Sequence, residues 1–584
     1  MINDRAGRRL AALYRRVAAS HTSTALAFPE QTANTDQDSP YIFNFTKGLV
    51  HTEKGLLADP GDYETFRNAT DSGDPQDFQS VPLNASPDGQ TAPNVSATVP
   101  DALKGMAGMD RIFRQYESPT GGFAHVLQGP DSFALVMPPA PEAGGPELAA
   151  EMAEVYQMAL HRDLPVAAFM DETLVTALTS ETGVDVGAEH AEVVDDAANL
   201  SKLAWFRDAP AAQTELTSRR RAGQTQTPGN LYRGVGEDPW PTPFVSQFML
   251  MGTGLGGDAD PAADADARRN GQIDFGNQRI DQSVKVAQPA RDYMTNWADW
   301  RDVQNGYNAR EALAARAATG QAEPEFTGAY RPITTLRDLA TYVHDDALYQ
   351  AYLNAALILL GRGAGIDPGI PYHKQATLAQ FSHNQEPFAV FGGPHLLTLV
   401  TEASSRALRA VRLQKFSVHR RTRPEGLAAL YHTALSGYRP DGVNAFDDAN
   451  NIEAEARSQI AASIAPDVLP PPAVSEGFYR ILERVRVHNA AQNGDDGLGA
   501  HASWLLPMAF PEGSPMHPAY GAGHATVAGA CVTMLKAFFA MEEANGTPTY
   551  LVPPGGQALV PDPGGNPPTL LTMPQGLTLL GELN

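Results

Sequence analysis

The chain has 584 residues, with 67 Asp and Glu against 43 Lys and Arg, a formal net charge of −24 and one cysteine, Cys531. Its length suggests roughly three to four domain-sized units and poses no difficulty for building a core. The acidic balance argues against a phosphate-backbone partner and so against nucleic acid, and the lone cysteine excludes an internal disulfide framework or a cysteine-based metal cluster.

The first twenty residues, MINDRAGRRLAALYRRVAAS, hold arginines but no sustained apolar block. They do not read as a secretory signal; Arg15 and Arg16 break the apolar run that a twin-arginine signal at Arg8-Arg9 would need. A short amphipathic helix and, by default, a cytoplasmic location are expected. The longest apolar run, 351–360, has the length of a core helix, and no stretch approaches a membrane span. From about Pro29 to Pro100 the composition predicts irregular wrapping structure. Residues 122–137 read as a β-hairpin turning at Gln128-Gly129-Pro130-Asp131, the one convincing β element, within an N-terminal region over 1–140.

Helical patterns follow in a first helical region, 141–330. Leu148, Met152, Val155, Met158 and Ala159 step at helical spacing behind Pro146, and 190–206 repeats the pattern. The block 207–330 reads as mostly loop with short helices. A helical bundle is expected over 331–584. Thr335, with Asp338 three residues on, caps a long helix through Leu336, Leu339, Val343, Ala347, Tyr352, Ala355 and Leu359, ending at Gly361 and Gly363. Another helix starts near Pro394 and runs to the basic stretch before Pro424, which should end or kink it. Further helices are expected at about 475–490 and 524–541, with a Pro/Gly tail at 553–568. The fold class is mainly α: packed helical bundles with long irregular loops and a small β-hairpin.

Two stretches carry chemistry. Residues 511–531 read PEGSPMHPAYGAGHATVAGAC, with His517 and His524 around a glycine-relieved turn at Gly521 and Gly523. The helix beginning near His524 would point its free N–H groups and positive dipole end at that turn, a setting for a small oxyanion, with two imidazoles to move protons. An isolated Gly-x-Gly-His is more often a plain helix entry. The second stretch runs from Lys415 to Glu425 as KFSVHRRTRPE. On one continuous helix Lys415, His419 and Arg423 share a broad face. A lysine and an arginine there repel unless an anion lies between them. The alternative is a solvated basic helix end, favourable to the dipole; the apolar flanks on an acidic protein favour a localised anion pocket.

Lys415…Arg423-Pro424-Glu425 followed by His517-Pro-Ala-Tyr-Gly-Ala-Gly523-His524 resembles the vanadium-dependent haloperoxidases, above all the bromoperoxidases of red algae and their bacterial relatives. The superfamily also holds the phosphatidic-acid-type acid phosphatases. FTKGL at 45–49, MPPAP at 137–141, residues 336–355 and SWLLPMAFPEGSP at 503–515 extend the likeness over nearly the whole chain. The resemblance implies a vanadate cofactor whose equatorial oxygens bind Lys415 and Arg423. The backbone N–H of Gly523, beside Ala522, would add a donor; His524 would be the acid–base histidine, and His517 the second pocket histidine typical of bromoperoxidases. Hydrogen peroxide would form a peroxovanadate polarised by Lys415, which a halide, bromide before chloride, attacks to give hypohalous acid for small organic acceptors. Arg420, Arg421 and Gln414 would pair with surface carboxylates or shape halide access. A homo-oligomer is expected, as relatives form large assemblies.

Two departures stand out. Ala522 replaces the family's serine, removing one neutral hydrogen bond worth about 0.5–1.5 kcal/mol. The family's third motif, with a second arginine and the histidine that bonds vanadium directly, is expected beyond residue 584; no metal ligand is assigned within the chain, and His344, His419 and His432 sit on helices of other character. Either the sequence belongs to a longer protein or it is a shortened homologue that has lost the ligand, and then little peroxidase activity is expected. The stretch 372–387, where some relatives bind calcium, lacks the aspartates a hard cation requires, so no calcium is expected. Two other readings stand beside the peroxidase: a phosphomonoesterase of the same superfamily, and a non-enzymatic helical shell.

Overall fold

The computed structural model describes residues 14, 30–34, 41–83 except 53, 113–124, 131–234 except 211 and 213, 243–254, 261–370, 386–436, 477–494, and 502–584 except 544. The expected N-terminal amphipathic helix, the hairpin turn at 128–130 and most of the 372–387 stretch lie outside these.

The described chain is built from helices joined by long irregular segments. Helix α1 (Pro60–Ser72) starts on Asp59, whose carboxylate accepts from Gly61 N at 2.8 Å, and stops at Gly73 in the left-handed region. Helix α2 (Pro146–Leu160) has proline in its first turn and packs with α3 (Gly187–Leu200). Then come α4 (Leu336–His344), α5 (Gln350–Gly361), α6 (Gly393–Leu413), α7 (Pro424–Ser436), α8 (Gly477–Gln492) and α9 (Gly523–Phe538).

Two of the larger buried clusters join most of them. In one, Leu148, Met152 and Tyr156 of α2 meet Leu427 and Tyr431 of α7 and Phe478, Ile481 and Leu482 of α8. In the other, Leu396, Val400 and Ala407 of α6 face Val527, Cys531 and Leu535 of α9. Each fully buried aliphatic side chain there contributes about 1.5–3 kcal/mol. Cys531 is wholly buried, its thiol pushed up to about 11 by burial, and it packs as expected.

Several local expectations change. The single long helix from Thr335 is two. The capping box forms, Thr335 N donating to Asp338 Oδ2 at 3.0 Å, but α4 ends before Asp345. Two adjacent aspartates oppose the negative end of a helix dipole. Both side chains turn away: Asp345 to Arg310 at 3.2 Å, and Asp346 to His524 at 2.9 Å.

The helix expected to carry Lys415, His419 and Arg423 together also breaks. After Leu413 the chain winds into a π-helical turn, Gln414–His419, and Arg420 stands in the left-handed region at φ 42°. Backbone pairing then takes over: Thr422 N donates to Phe43 O at 2.9 Å and Phe45 N to Arg420 O at 2.8 Å. Pro424 begins α7 rather than bending a continuous helix, its fixed φ suiting the first helical position.

The expected hairpin over 122–137 is not a hairpin where described. Gly121–Phe123 and Ser132–Ala134 are 3-10 turns, with the Phe123 and Phe133 rings edge to face at 5.4 Å. Strands occur instead as antiparallel pairs in stretches read as loop, as tail or as part of the helical bundle: β1 (Gln272–Phe275) with β2 (Gln278–Asp281), β3 (Val284–Ala287) with β4 (Phe326–Arg331), β5 (Tyr550–Val552) with β8 (Leu577–Thr578), and β6 (Gly556–Val560) with β7 (Thr569–Met573). The fold remains mainly α. No helix among the described residues is long and apolar enough to cross a membrane.

Candidate functional site

The N-terminal segment reaches the basic stretch directly. Tyr41, Phe45, Tyr63 and Phe66 close over Phe416 of the π-helical turn. Beneath them Lys47, almost wholly buried, donates to Ser514 O at 2.7 Å and Glu512 O at 3.2 Å and pairs with Glu425 at 3.3 Å. Glu425 also accepts from Ser514 Oγ at 2.6 Å and Ser514 N at 3.2 Å. Burial would raise the Glu425 carboxyl, but Lys47 and Arg423 beside it hold it below its ordinary value. Burial, partly offset by Glu425, brings Lys47 down to about 8. This buried pair ties α7 to the loop that carries His517. At Gly48 the chain takes φ 95°, and a Cβ there would lie 2.8 Å from Met516 Cε, so the close crossing needs glycine.

Lys415 leaves the π-helical turn into the interior. Its Nζ donates to the carbonyls of Pro518, at 2.7 Å, and Ala519, at 3.0 Å. Ala519 N in turn donates to Arg421 O at 3.0 Å, so the two motif stretches are laced together. Burial, with Arg423 and Arg412 nearby, pulls the Lys415 amine down to about 6. Arg423 is lowered as well, first by burial; its buried Nε has no hydrogen-bond partner. His517 lies in the same cluster, its Nδ1 donating to Pro518 O at 3.1 Å. Burial and the positive Lys415, Arg423 and Arg412 hold its imidazole far below the ordinary histidine range, so it is neutral at neutral pH. Lys415, Arg423 and His517 therefore share one electrostatic site although a helix break separates the first two.

His524 does not join them. Its side chain is 49% exposed, and Nε2 meets Asp346 Oδ2 at 2.9 Å. Ala522 precedes α9 as its cap and is exposed, and Gly523 is the first helical residue. The glycines differ from expectation: neither Gly521 nor Gly523 has positive φ. A Cβ at Gly521 would fall 2.2 Å from Met137 Cε, the flexible end of a side chain that would have to shift, whereas one at Gly523 would meet nothing within 4 Å.

The three flanking residues split. Arg420 pairs with the Asp71 carboxylate, as expected, although Arg420 itself is buried. Arg421 and Gln414 are buried and bond mainly backbone: Arg421 Nη2 to Pro141 O at 2.9 Å, Gln414 Nε2 to Leu135 O at 2.9 Å and to the Gln31 side chain. His419 is buried, edge to face with Tyr520 at 4.8 Å, and lowered to about 4 by burial and by Arg421 and Arg220.

Sequence reading missed Arg412, Arg114 and Glu117. Arg412 sits three residues before Lys415, a helical spacing that could have revealed it. Arg114 and Glu117 lie in an irregular segment with no periodicity to read. Arg114 Nη1 donates to Ser514 O at 2.7 Å, and Arg412 Nη2 is 3.6 Å from Glu117 Oε2. A second group, His161 with Glu192 and Asp196, has the donor types of a metal site. Arg484 already pairs with both carboxylates, and Tyr232 and Asp196 occupy both ring nitrogens of His161, so it reads as a structural network.

Lys415, buried, and Arg423, whose Nε has no hydrogen-bond partner, thus lie together with Glu117 and Glu425 nearby in a helical protein. No family model matches the chain. It is 37% identical over 511 residues to the vanadium-dependent bromoperoxidase of Corallina pilulifera, spanning 86% of this chain and 75% of that one, and matches the enzyme of Corallina officinalis to the same extent. The vanadium-dependent bromoperoxidase of Ascophyllum nodosum is 28% identical over 435 residues. Among solved structures, the homohexameric second vanadate-dependent bromoperoxidase of Ascophyllum nodosum has a TM-score of 0.66 at 24% identity, covering 99% of this chain and 78% of that one, which places the fold. The chain belongs to the vanadium-dependent haloperoxidase family and is an enzyme of that class.

Proposed function

We propose that the chain holds orthovanadate in the cradle formed by Lys415 and Arg423 and oxidises halide with hydrogen peroxide to hypohalous acid, taking bromide in preference to chloride. The observation that carries this reading is the Arg423 guanidinium, half-buried with its Nε enclosed and unpartnered beside a buried lysine. A tetrahedral or five-coordinate oxyanion supplies acceptors that such a donor set lacks. The names of the relatives supply the metal.

Lys415 and Arg423 would hold the anion's oxygens, and the N–H groups that open α9 would add donors. Vanadate, when bound, supplies Lewis acidity that activates peroxide for oxygen transfer without a change of metal oxidation state. Lys415 can change its own charge near neutral pH, so it can give a proton to an oxygen held against Nζ. At His524 the Asp346 carboxylate accepts from Nε2, which leaves Nδ1 as the proton acceptor. His517 Nδ1 is committed to Pro518 O, so Nε2 is its free acceptor face toward the cluster. The bromide preference rests on histidine at 517, where chloroperoxidases of the family carry an aromatic residue. The same reading extends to a homo-oligomer, as stated for the structural relative.

The test pairs two measurements on the full chain. Orthovanadate should raise the melting temperature, as any ligand of the folded state does, and peroxide-dependent dye bromination should exceed chlorination. Absence of a vanadate shift together with turnover of a phosphomonoester would replace this reading with the phosphatase one.

A further inference from the structure

The cation cluster has an acid at its solvent edge that the chemistry above does not use. Glu117 is fixed by its backbone, its N donating to Met516 O at 3.1 Å while Met516 N donates back to Glu117 Oε1 at 3.2 Å. From there its carboxylate faces two arginines and the neutral His517: Oε1 is 3.5 Å from Arg114 Nη2, and Oε2 is 3.6 Å from Arg412 Nη2 and 3.7 Å from His517 Nε2. The Glu117 side chain is 39% exposed, against 11% for Arg412 and 13% for His517, so it closes the cluster on the outside. Two other nearby carboxylates are committed elsewhere, Glu425 to Lys47 and Ser514 and Glu512 to His344 and Arg310. The two arginine contacts, at 3.5 and 3.6 Å, are ion pairs without short hydrogen bonds. A carboxylate held this loosely can be displaced.

We propose that Glu117 is a built-in competitor of the pocket, an internal carboxylate that stands at the mouth among Arg114, Arg412 and His517 and sets how tightly free anions bind behind it. Any anion entering must either displace it or bear its repulsion. Its backbone clip to Met516 keeps it beside His517, so the competition is tuned by position, not by chance encounter. The effect is electrostatic and general for anions. It is greatest for multiply charged oxyanions, whose repulsion from a fixed charge scales with their own.

This inference rests on the reading that the cluster holds an oxyanion. The experiment is calorimetric titration of inorganic phosphate into the wild-type chain, E117Q and E117A. E117Q keeps an oxygen for Met516 N and removes only charge; E117A removes the side chain, and thermal melting checks that both fold. Both variants should bind phosphate about tenfold more tightly, a change of about 1.4 kcal/mol. Unchanged or weaker binding in the variants, with wild-type binding intact, overturns the role of Glu117 and leaves the pocket standing. No binding by any of the three chains overturns both.

Discussion

Lys415 is the residue on which the charge of the proposed anion site turns. An amine brought down to about 6 is charged below that pH and neutral above it. Sulfate keeps its charge across about pH 5 to 8, where the lysine changes its own. Sulfate should therefore bind most tightly at the acid end and lose affinity as pH rises through 6, and Lys415→Met should flatten the profile; isothermal titration at several pH values reads this. The same shift has a stability sign. Between the folded value near 6 and the ordinary value of 10.5 the unfolded chain binds the extra proton, so the contribution of Lys415 to stability rises with pH across that window. Denaturant unfolding should show a shallower pH slope in Lys415→Met. Glu425 is the complementary case. Its removal strands the buried Lys47 ammonium 3.3 Å away, and Glu425→Ala should cost about 3–5 kcal/mol, measured as a lowered denaturation midpoint.

At the scale of elements, the site depends on a seam and a break. The seam is α6 against α9, where Leu535, Val400 and Cys531 are fully buried. Leu535→Ala should destabilise by about 2–5 kcal/mol, seen as a drop in melting temperature, and should loosen the α9 start that carries His524. The break is the π-helical turn with Arg420 in the left-handed region, which lets the chain reverse onto the Tyr41–Phe45 strip. Without it Lys415 and Arg423 would be separated by helical rise. The capping box at Thr335 was readable because its two side chains are local; Thr335→Ala should cost about 1 kcal/mol. The split between α4 and α5 was not readable from periodicity, because apolar spacing continues across Asp345 and Asp346. Their partners, Arg310 and His524, come from distant parts of the sequence.

Across the whole molecule, the N-terminal segments act as walls of the site. Lys47, Arg114 and Glu117 all contact the 511–517 loop, so the proposed anion site is assembled from pieces hundreds of residues apart. Such a site needs these segments docked together, so loss of anion binding should accompany their undocking, read by hydrogen exchange at 41–49 and 113–117. If the chain assembles as the homohexameric structural relative does, sedimentation should show one large species at micromolar concentration whose melting temperature rises with protein concentration.

Helical class, the start of α2, the capping box of α4, the buried role of Cys531 and the two basic and histidine stretches were determined by the sequence itself. Each depends on periodicity, a proline, or residues within a few positions of one another. Tertiary structure alone decided that Lys415 and Arg423 meet across a helix break, that Arg412, Arg114 and Glu117 complete their surroundings, and that the His524 imidazole turns to Asp346. Charge acts through space, and the partners that set it for these groups come from segments whose spacing along the chain carries no period.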